Sequence, residues 1–148
     1  MPIIRCYSEQ SDQEQVVALW TSVFGYGTAH NEPTLALSKK LNHQDGLLFV
    51  ADDSGQIAGT TMAGYDGHRG WLYSIAVHPR YRRQGLGSKL VQYAERALLD
   101  LGCMKINLQL LETNSATSQF YSSLGYNTEP RISMGKILHQ NVPPRSVA

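Results

Sequence analysis

The nineteen-residue run Leu-Tyr-Ser-Ile-Ala-Val-His-Pro-Arg-Tyr-Arg-Arg-Gln-Gly-Leu-Gly-Ser-Lys-Leu, at 72–90, constrains this chain more than any other stretch. It reads as a strand, a basic glycine loop and the start of a helix. Ile75, Ala76 and Val77 are strand formers, Pro79 cannot continue a buried ladder, and Gly85 and Gly87 let the backbone approach something bulky. A helix beginning after Gly85 offers unpaired amides and a positive dipole end, which bind anions. Arg80, Arg82 and Arg83 add positive charge beside them. A phosphate is the expected occupant, and the alternative is a tight strand-to-helix turn beside a solvated basic patch. No Gly-Lys-Ser/Thr closes the loop as in a Walker motif, and the third glycine of a Rossmann fingerprint is missing near Leu90.

The flanking pattern fits a mixed sheet with helices on its faces. Residues 3–7 form a short β-branched run suited to a first strand. Ser11 and Glu14 have the form of a capping box, and Val16, Leu19, Trp20 and Val23 follow at helical spacing until 25–27. Pro33 opens a second helix through Leu35, Leu37 and Leu41 that stops near Asn42. A hairpin follows, with strands at 47–51 and 57–65 around the turn 52–55. Asp66-Gly67-His68-Arg69-Gly70 is dense in titratable groups; a polar hairpin tip and a functional loop are both compatible with it. Leu86, Leu90, Ala94, Ala97, Leu98 and Leu101 mark a helix closed by Gly102. Residues 105–111 are expected to form a central fifth strand, 114–124 a short helix ended by Gly125, and 132–138 a last strand.

Arg82-Arg83-Gln84-Gly85-Leu86-Gly87 matches the Arg/Gln-x-x-Gly-x-Gly/Ala signature of the GNAT N-acetyltransferases, and Ile-Ala-Val-His-Pro resembles the end of that family's fourth strand. Asn114 followed by Tyr121, then Leu124-Gly125-Tyr126, matches the family's second pattern at the right distance. The likeness spans 3–138, and the run Gly-Tyr-Asp-Gly-His-Arg-Gly with Lys40-Leu41-Asn42-His43 is also similar to the small bacterial YpeA-type acetyltransferases.

The resemblance implies an α/β (α+β) GNAT-type domain at 1–138, with a mixed, mostly antiparallel sheet whose fourth and fifth strands splay apart; residues 139–148, with two prolines and little periodicity, read as a loose tail. The resemblance also implies acetyl-coenzyme A as acyl donor, with no metal. Arg82, Arg83, Gln84, Gly85, Leu86, Gly87 and Ser88, with Asn114, would hold the coenzyme. The backbone of Ile75 and Val77 would pair with its pantetheine arm, and the amide of Ala76 or Val77 would polarise the thioester carbonyl. Tyr121 matches the general acid that receives the departing thiolate; packing its own helix is the alternative. The helical region containing Trp20, Phe24 and Tyr26 would wall the acceptor site, although these aromatics serve equally as core.

The general base is not fixed by the resemblance. Where family members carry a glutamate early in the fourth strand or on the fifth, this chain has Trp71 and Gln109, neither of which accepts a proton at neutral pH. Asp66, His68 and Glu112 remain as candidates, beside their plainer roles as solvated loop groups or as a helix-start carboxylate. A water chain to the amine would need no dedicated base. Tyr73 is expected to share one strand face with Trp71 and Ile75, toward acetyl group and acceptor.

Composition limits the other function classes. The 148 residues carry a net charge of +1, which argues against a broad nucleic-acid surface. Cys6 and Cys103 have no metal or disulfide spacing and fit two reduced thiols in a cytoplasmic protein. No apolar run approaches the roughly 20 residues that span a bilayer, so membrane contact is not expected. The reading is an N-acetyltransferase acting on a small amine, an amino-acid derivative, or a protein N-terminus or lysine by direct attack in a ternary complex. An acyl-coenzyme A sensing module without turnover is the alternative, and a homodimer is left open.

Overall fold

The computed structural model describes residues 1–25 and 27–138; Tyr26 and the expected tail at 139–148 lie outside the described residues. Strand β1 (Ile3–Cys6) leads into α1 (Glu9–Phe24) and α2 (Pro33–His43), followed by β2 (Leu48–Asp53), β3 (Gln56–Tyr65) and β4 (Gly70–Val77). Helix α3 (Leu86–Asp100), strand β5 (Ile106–Asn107) and helix α4 (Ser115–Ser123) complete the order. The strands lie side by side in sequence order, antiparallel except that β5 runs parallel to β4.

Period-two alternation divides the core between the two faces of the sheet. Leu48, Val50, Ile57, Met62 and Ala76 pack against Val16, Leu19, Trp20 and Leu37 of α1 and α2. Phe49, Ala63 and Leu72 face Val91, Ala94 and Leu98 of α3 and Tyr121 of α4. The β2–β3 turn is the two-residue hairpin that its sequence specifies, with Ser54 and Gly55 both in the left-handed region.

Helix α1 starts earlier than the Ser11–Glu14 pattern predicts. Ser8 is its N-cap, and its N–H donates to Asp12 Oδ2 at 2.8 Å. Asp12 is drawn there by Arg5 on β1, whose Nη1 and Nη2 donate to its two carboxylate oxygens at 2.7 and 2.9 Å. An ion pair between β1 and α1, rather than the Ser11–Glu14 capping box, therefore accompanies this start.

Strand β5 also departs from expectation. It is two residues long and lies at the sheet edge, pairing Gly70 with Ile106 and Trp71 with Asn107. Beyond Asn107 the chain leaves β4, so the rest of β4 has an open edge, which is the expected splay. The expected strand at 132–138 does not form: Ile132 and Met134 are 90% and 91% exposed. Residues 129–133 instead run beside 105–109 through side chains, with Lys105 Nζ and Asn107 Nδ2 donating to Glu129 at 2.6 and 2.7 Å. Apolar alternation there supplies strand propensity without a backbone partner.

Candidate functional site

The central feature of β4 is a bulge. Thr60 opposes Ala76 and Met62 opposes Tyr73, so Ser74 and Ile75 together face Thr61 alone. Ser74 adopts φ +50°, and its carbonyl accepts a hydrogen bond from Thr60 Oγ1 at 2.8 Å, while Thr60 Oγ1 accepts one from Trp20 Nε1 at 2.8 Å. The extra residue reverses the strand's parity. Tyr73 shares the α1 face with its partner Met62, but Ile75 turns to the α3 and α4 side with Leu72, and Ala76 takes the α1 face. Tyr73, Trp71 and Ile75 therefore do not line one face, as uninterrupted alternation predicts. Trp20 is core, buried and bonded to Thr60, rather than part of an acceptor wall.

Beyond the bulge, the alternation of an antiparallel ladder fixes which backbone groups remain free. His78 N–H donates to Ala58 O at 2.8 Å, so the groups of Val77 point away from β3. There Arg82 Nε donates to Val77 O at 3.1 Å, leaving the Val77 N–H on the open edge.

The loop after β4 is held at both ends. Pro79–Tyr81 forms a single 3-10 turn, with Tyr81 Oη donating to Asp53 Oδ2 at 2.6 Å on the β2–β3 hairpin. Arg83 and Gly85 both adopt left-handed φ, +62° and +78°, and Gly85 is the N-cap of α3. The main-chain N–H groups of 83–88 make no hydrogen bond among the described residues. Arg80, Arg82 and Arg83 are exposed beside them. This combination of oriented amides, a helix N-terminus and guanidinium groups suits a diphosphate. A Cβ on Gly85 meets nothing within 4 Å, so its requirement is conformational, whereas one on Gly87 would lie 3.2 Å from Phe120 Cζ. Within the chain, the close neighbour of Gly87 is an α4 ring.

Tyr121 lies on α4, buried between two aromatic neighbours. The Phe120 ring sits 5.0 Å away at 70° and the Tyr126 ring 5.7 Å away at 76°. Burial pushes the Tyr121 phenol up to about 12, and its hydroxyl makes no hydrogen bond among the described residues. Asn114 caps α4, its Oδ1 accepting from Thr117 N at 3.3 Å. A groove of about 1430 Å³ takes in Trp71, Gln109, Glu112, Asn114 and Tyr121. Neither Asp66, His68 nor the loop 82–88 lines it.

Asp66 and His68 occupy the exposed tip between β3 and β4. Asp66 Oδ1 accepts from the N–H groups of His68 and Arg69, both at 2.8 Å. The Arg69 and His68 amides hold the Asp66 carboxyl below the usual range, which makes it a poor proton acceptor. Of the three candidate bases, the structure brings only Glu112 into the groove with Tyr121, and Glu112 is exposed. Phe24 is exposed at the end of α1, and Tyr73 is half-exposed on the α1 face. Among the described residues, no three His, Cys, Asp or Glu side chains are grouped to hold a metal, and no helix is long and apolar enough to cross a membrane.

Two features of the site have no local mark in the sequence. The Ser74 bulge follows from a serine at positive φ, which no spacing rule reports. The bond from Tyr126 Oη to Glu95 Oε2, at 2.7 Å, joins residues 31 positions apart.

Comparison with known proteins agrees with this geometry. The sequence profile described as the acetyltransferase (GNAT) family matches residues 9–126. A protein of Yersinia enterocolitica named acetyltransferase is 40% identical over 130 residues, covering 88% of this chain and 92% of that protein. Among solved structures, the PaiA N-acetyltransferase of Thermoplasma acidophilum in complex with coenzyme A superposes with a TM-score of 0.75 at 17% identity, over 89% of this chain and 93% of that one. The glucosamine-6-phosphate N-acetyltransferase of Arabidopsis thaliana gives a TM-score of 0.68 at 21% identity, over 94% and 99%.

Proposed function

The chain belongs to the acetyltransferase (GNAT) family, and we propose that it transfers the acetyl group of acetyl-coenzyme A to a primary amine by direct attack in a ternary complex. The observation that carries this reading is the run of free main-chain N–H groups at 83–88, placed where the open edge of β4 ends. The amides and arginines of that loop would receive the pyrophosphate. The pantetheine arm would then lie along the β4 edge that β5 leaves uncovered.

Ala76 pairs with Thr60 in the ladder, so of the two amides considered for the thioester oxygen, that of Val77 is the better placed. An N–H fixed in advance stabilises the oxyanion without reorganisation as charge develops. Arg82 contributes by occupying the Val77 carbonyl, whose negative end would otherwise stand beside that oxygen's path.

Tyr121 then faces the departing sulfur. With its phenol near 12, it does not give its proton up fully to a thiolate whose acid form titrates at about 8.5. It acts as a hydrogen-bond donor that strengthens as the thiolate forms. The acceptor amine must arrive neutral. Glu112 shares the groove with Tyr121 and would take the proton directly or through water.

Calorimetric titration with acetyl-coenzyme A, coenzyme A and ATP, beside a thiol-release assay over a panel of amines, tests the reading. Coenzyme binding with amine-dependent thiol release is expected. Binding without release from small amines, peptides or proteins would favour an acyl-coenzyme A sensor, and absence of coenzyme binding would overturn the reading.

A further inference from the structure

We propose that Glu95 and Tyr126 are positioning residues that hold the Tyr121 ring in its working orientation. The inference rests on the reading of Tyr121 as the group that receives the thiolate.

Tyr126 meets Tyr121 in two ways. Its N–H donates to Tyr121 O at 3.0 Å, just past the end of α4, and its ring packs against the Tyr121 ring at 5.7 Å and 76°. The backbone bond fixes where Tyr126 starts but leaves its side-chain torsions free. Glu95 removes that freedom: from α3 its Oε2 accepts the Tyr126 hydroxyl at 2.7 Å. The Tyr126 ring is thus tied at its backbone and at its phenolic oxygen, to two different helices. Tyr121, whose own hydroxyl has no partner among the described residues, takes its orientation from the rings around it.

Packing alone would be satisfied by phenylalanine at 126. The hydroxyl and its carboxylate acceptor require another role, and all three side chains line the same groove. A donor that must meet sulfur within a few tenths of an ångström loses effectiveness when its ring can rock.

Steady-state kinetics of Tyr126→Phe, Glu95→Leu and Tyr121→Phe, singly and in pairs, test the proposal. Tyr126→Phe keeps the ring and removes only the hydroxyl. It is expected to lower kcat about 5-fold with KM for acetyl-coenzyme A within about 2-fold, and Glu95→Leu, which removes the acceptor, to match it. On the Tyr121→Phe background neither change should slow the enzyme further. An unchanged kcat in Tyr126→Phe, with Tyr121→Phe slow, would overturn the proposal. Equal losses in both backgrounds would do so too, since a purely structural effect does not need the Tyr121 hydroxyl. A Tyr121→Phe enzyme as fast as the parent would instead remove the reading on which the proposal rests.

Discussion

Thr60 and Ser74 are joined across the β3–β4 ladder by a hydrogen bond of 2.8 Å from the threonine hydroxyl to the serine carbonyl. That bond holds the bulge open from below, because the same hydroxyl oxygen accepts the Trp20 indole N–H at 2.8 Å. Helix α1 thereby reaches through the sheet's own side chains to set the backbone on which the thioester would rest.

The neighbouring threonine supplies the comparison. Thr60 and Thr61 are both fully buried, yet Thr61 Oγ1 has no partner among the described residues. Thr60→Val strands the Trp20 N–H and the Ser74 carbonyl and should cost about 2–3 kcal/mol, with a loss of kcat as the bulge relaxes. Thr61→Val strands nothing and should be neutral or stabilising by about 1 kcal/mol. Chemical denaturation of the two variants checks this; equal destabilisation would show that the bond does not hold the bulge.

At the loop, Gly85 and Gly87 should fail differently. Alanine at 85 meets open space but must hold φ +78°, a strain of about 1 kcal/mol that lowers the melting temperature without a clash. Valine at 87 would push on Phe120, and through it on Tyr121. Gly87→Val should therefore weaken acetyl-coenzyme A binding at least about 10-fold and reduce kcat as well. Calorimetry and kinetics on that variant decide the matter; unchanged affinity would mean that the loop does not hold the coenzyme.

How far the sequence discloses this arrangement depends on the range of the forces involved. Pro33 opening α2, the Ser54–Gly55 turn and the Leu86–Leu98 stripe of α3 are local, and their residues specify them almost alone. The start of α1 is not, because Arg5 on β1 draws Asp12 into place. Residues 105–111 and 132–138 carry strand-like apolar content, yet pairing depends on distant backbone that the pattern cannot report. The strand-to-helix turn at 82–88 is legible because glycine acts there through short-range geometry. The bulge is not, since one inserted residue shifts every later side chain to the other face while leaving composition untouched.

If the Tyr121 hydroxyl acts on the departing sulfur, as proposed, Tyr121→Phe should slow turnover about 10- to 100-fold while leaving acetyl-coenzyme A affinity nearly unchanged. With the phenol near 12, the parent enzyme should show no decline attributable to this group below about pH 11. A pH profile of kcat for both proteins tests the assignment. A falling limb near pH 9 that vanishes in Tyr121→Phe would mean that the phenol ionises far more readily during turnover than its burial implies.

Acid stability offers a test independent of catalysis. Burial pushes the Asp12 carboxyl up, but the Arg5 guanidinium, the Ser8 N–H and the Ser11 hydroxyl together outweigh it and hold the group below the usual carboxylate range. A carboxyl with a lowered folded value binds its proton more weakly in the folded protein than in the unfolded chain. Its contribution is therefore complete above the unfolded value of about 3.9 and is lost as pH falls through the folded one. Asp12→Asn keeps the shape but removes the charge facing Arg5, and because Arg5 is one-third exposed the expected cost at pH 7 is about 2 kcal/mol. The gap in melting temperature between parent and variant should stay level from pH 8 to about 5 and narrow below about 4. A gap that persists undiminished in acid would show that Asp12 stabilises the junction of β1 and α1 by shape rather than by charge.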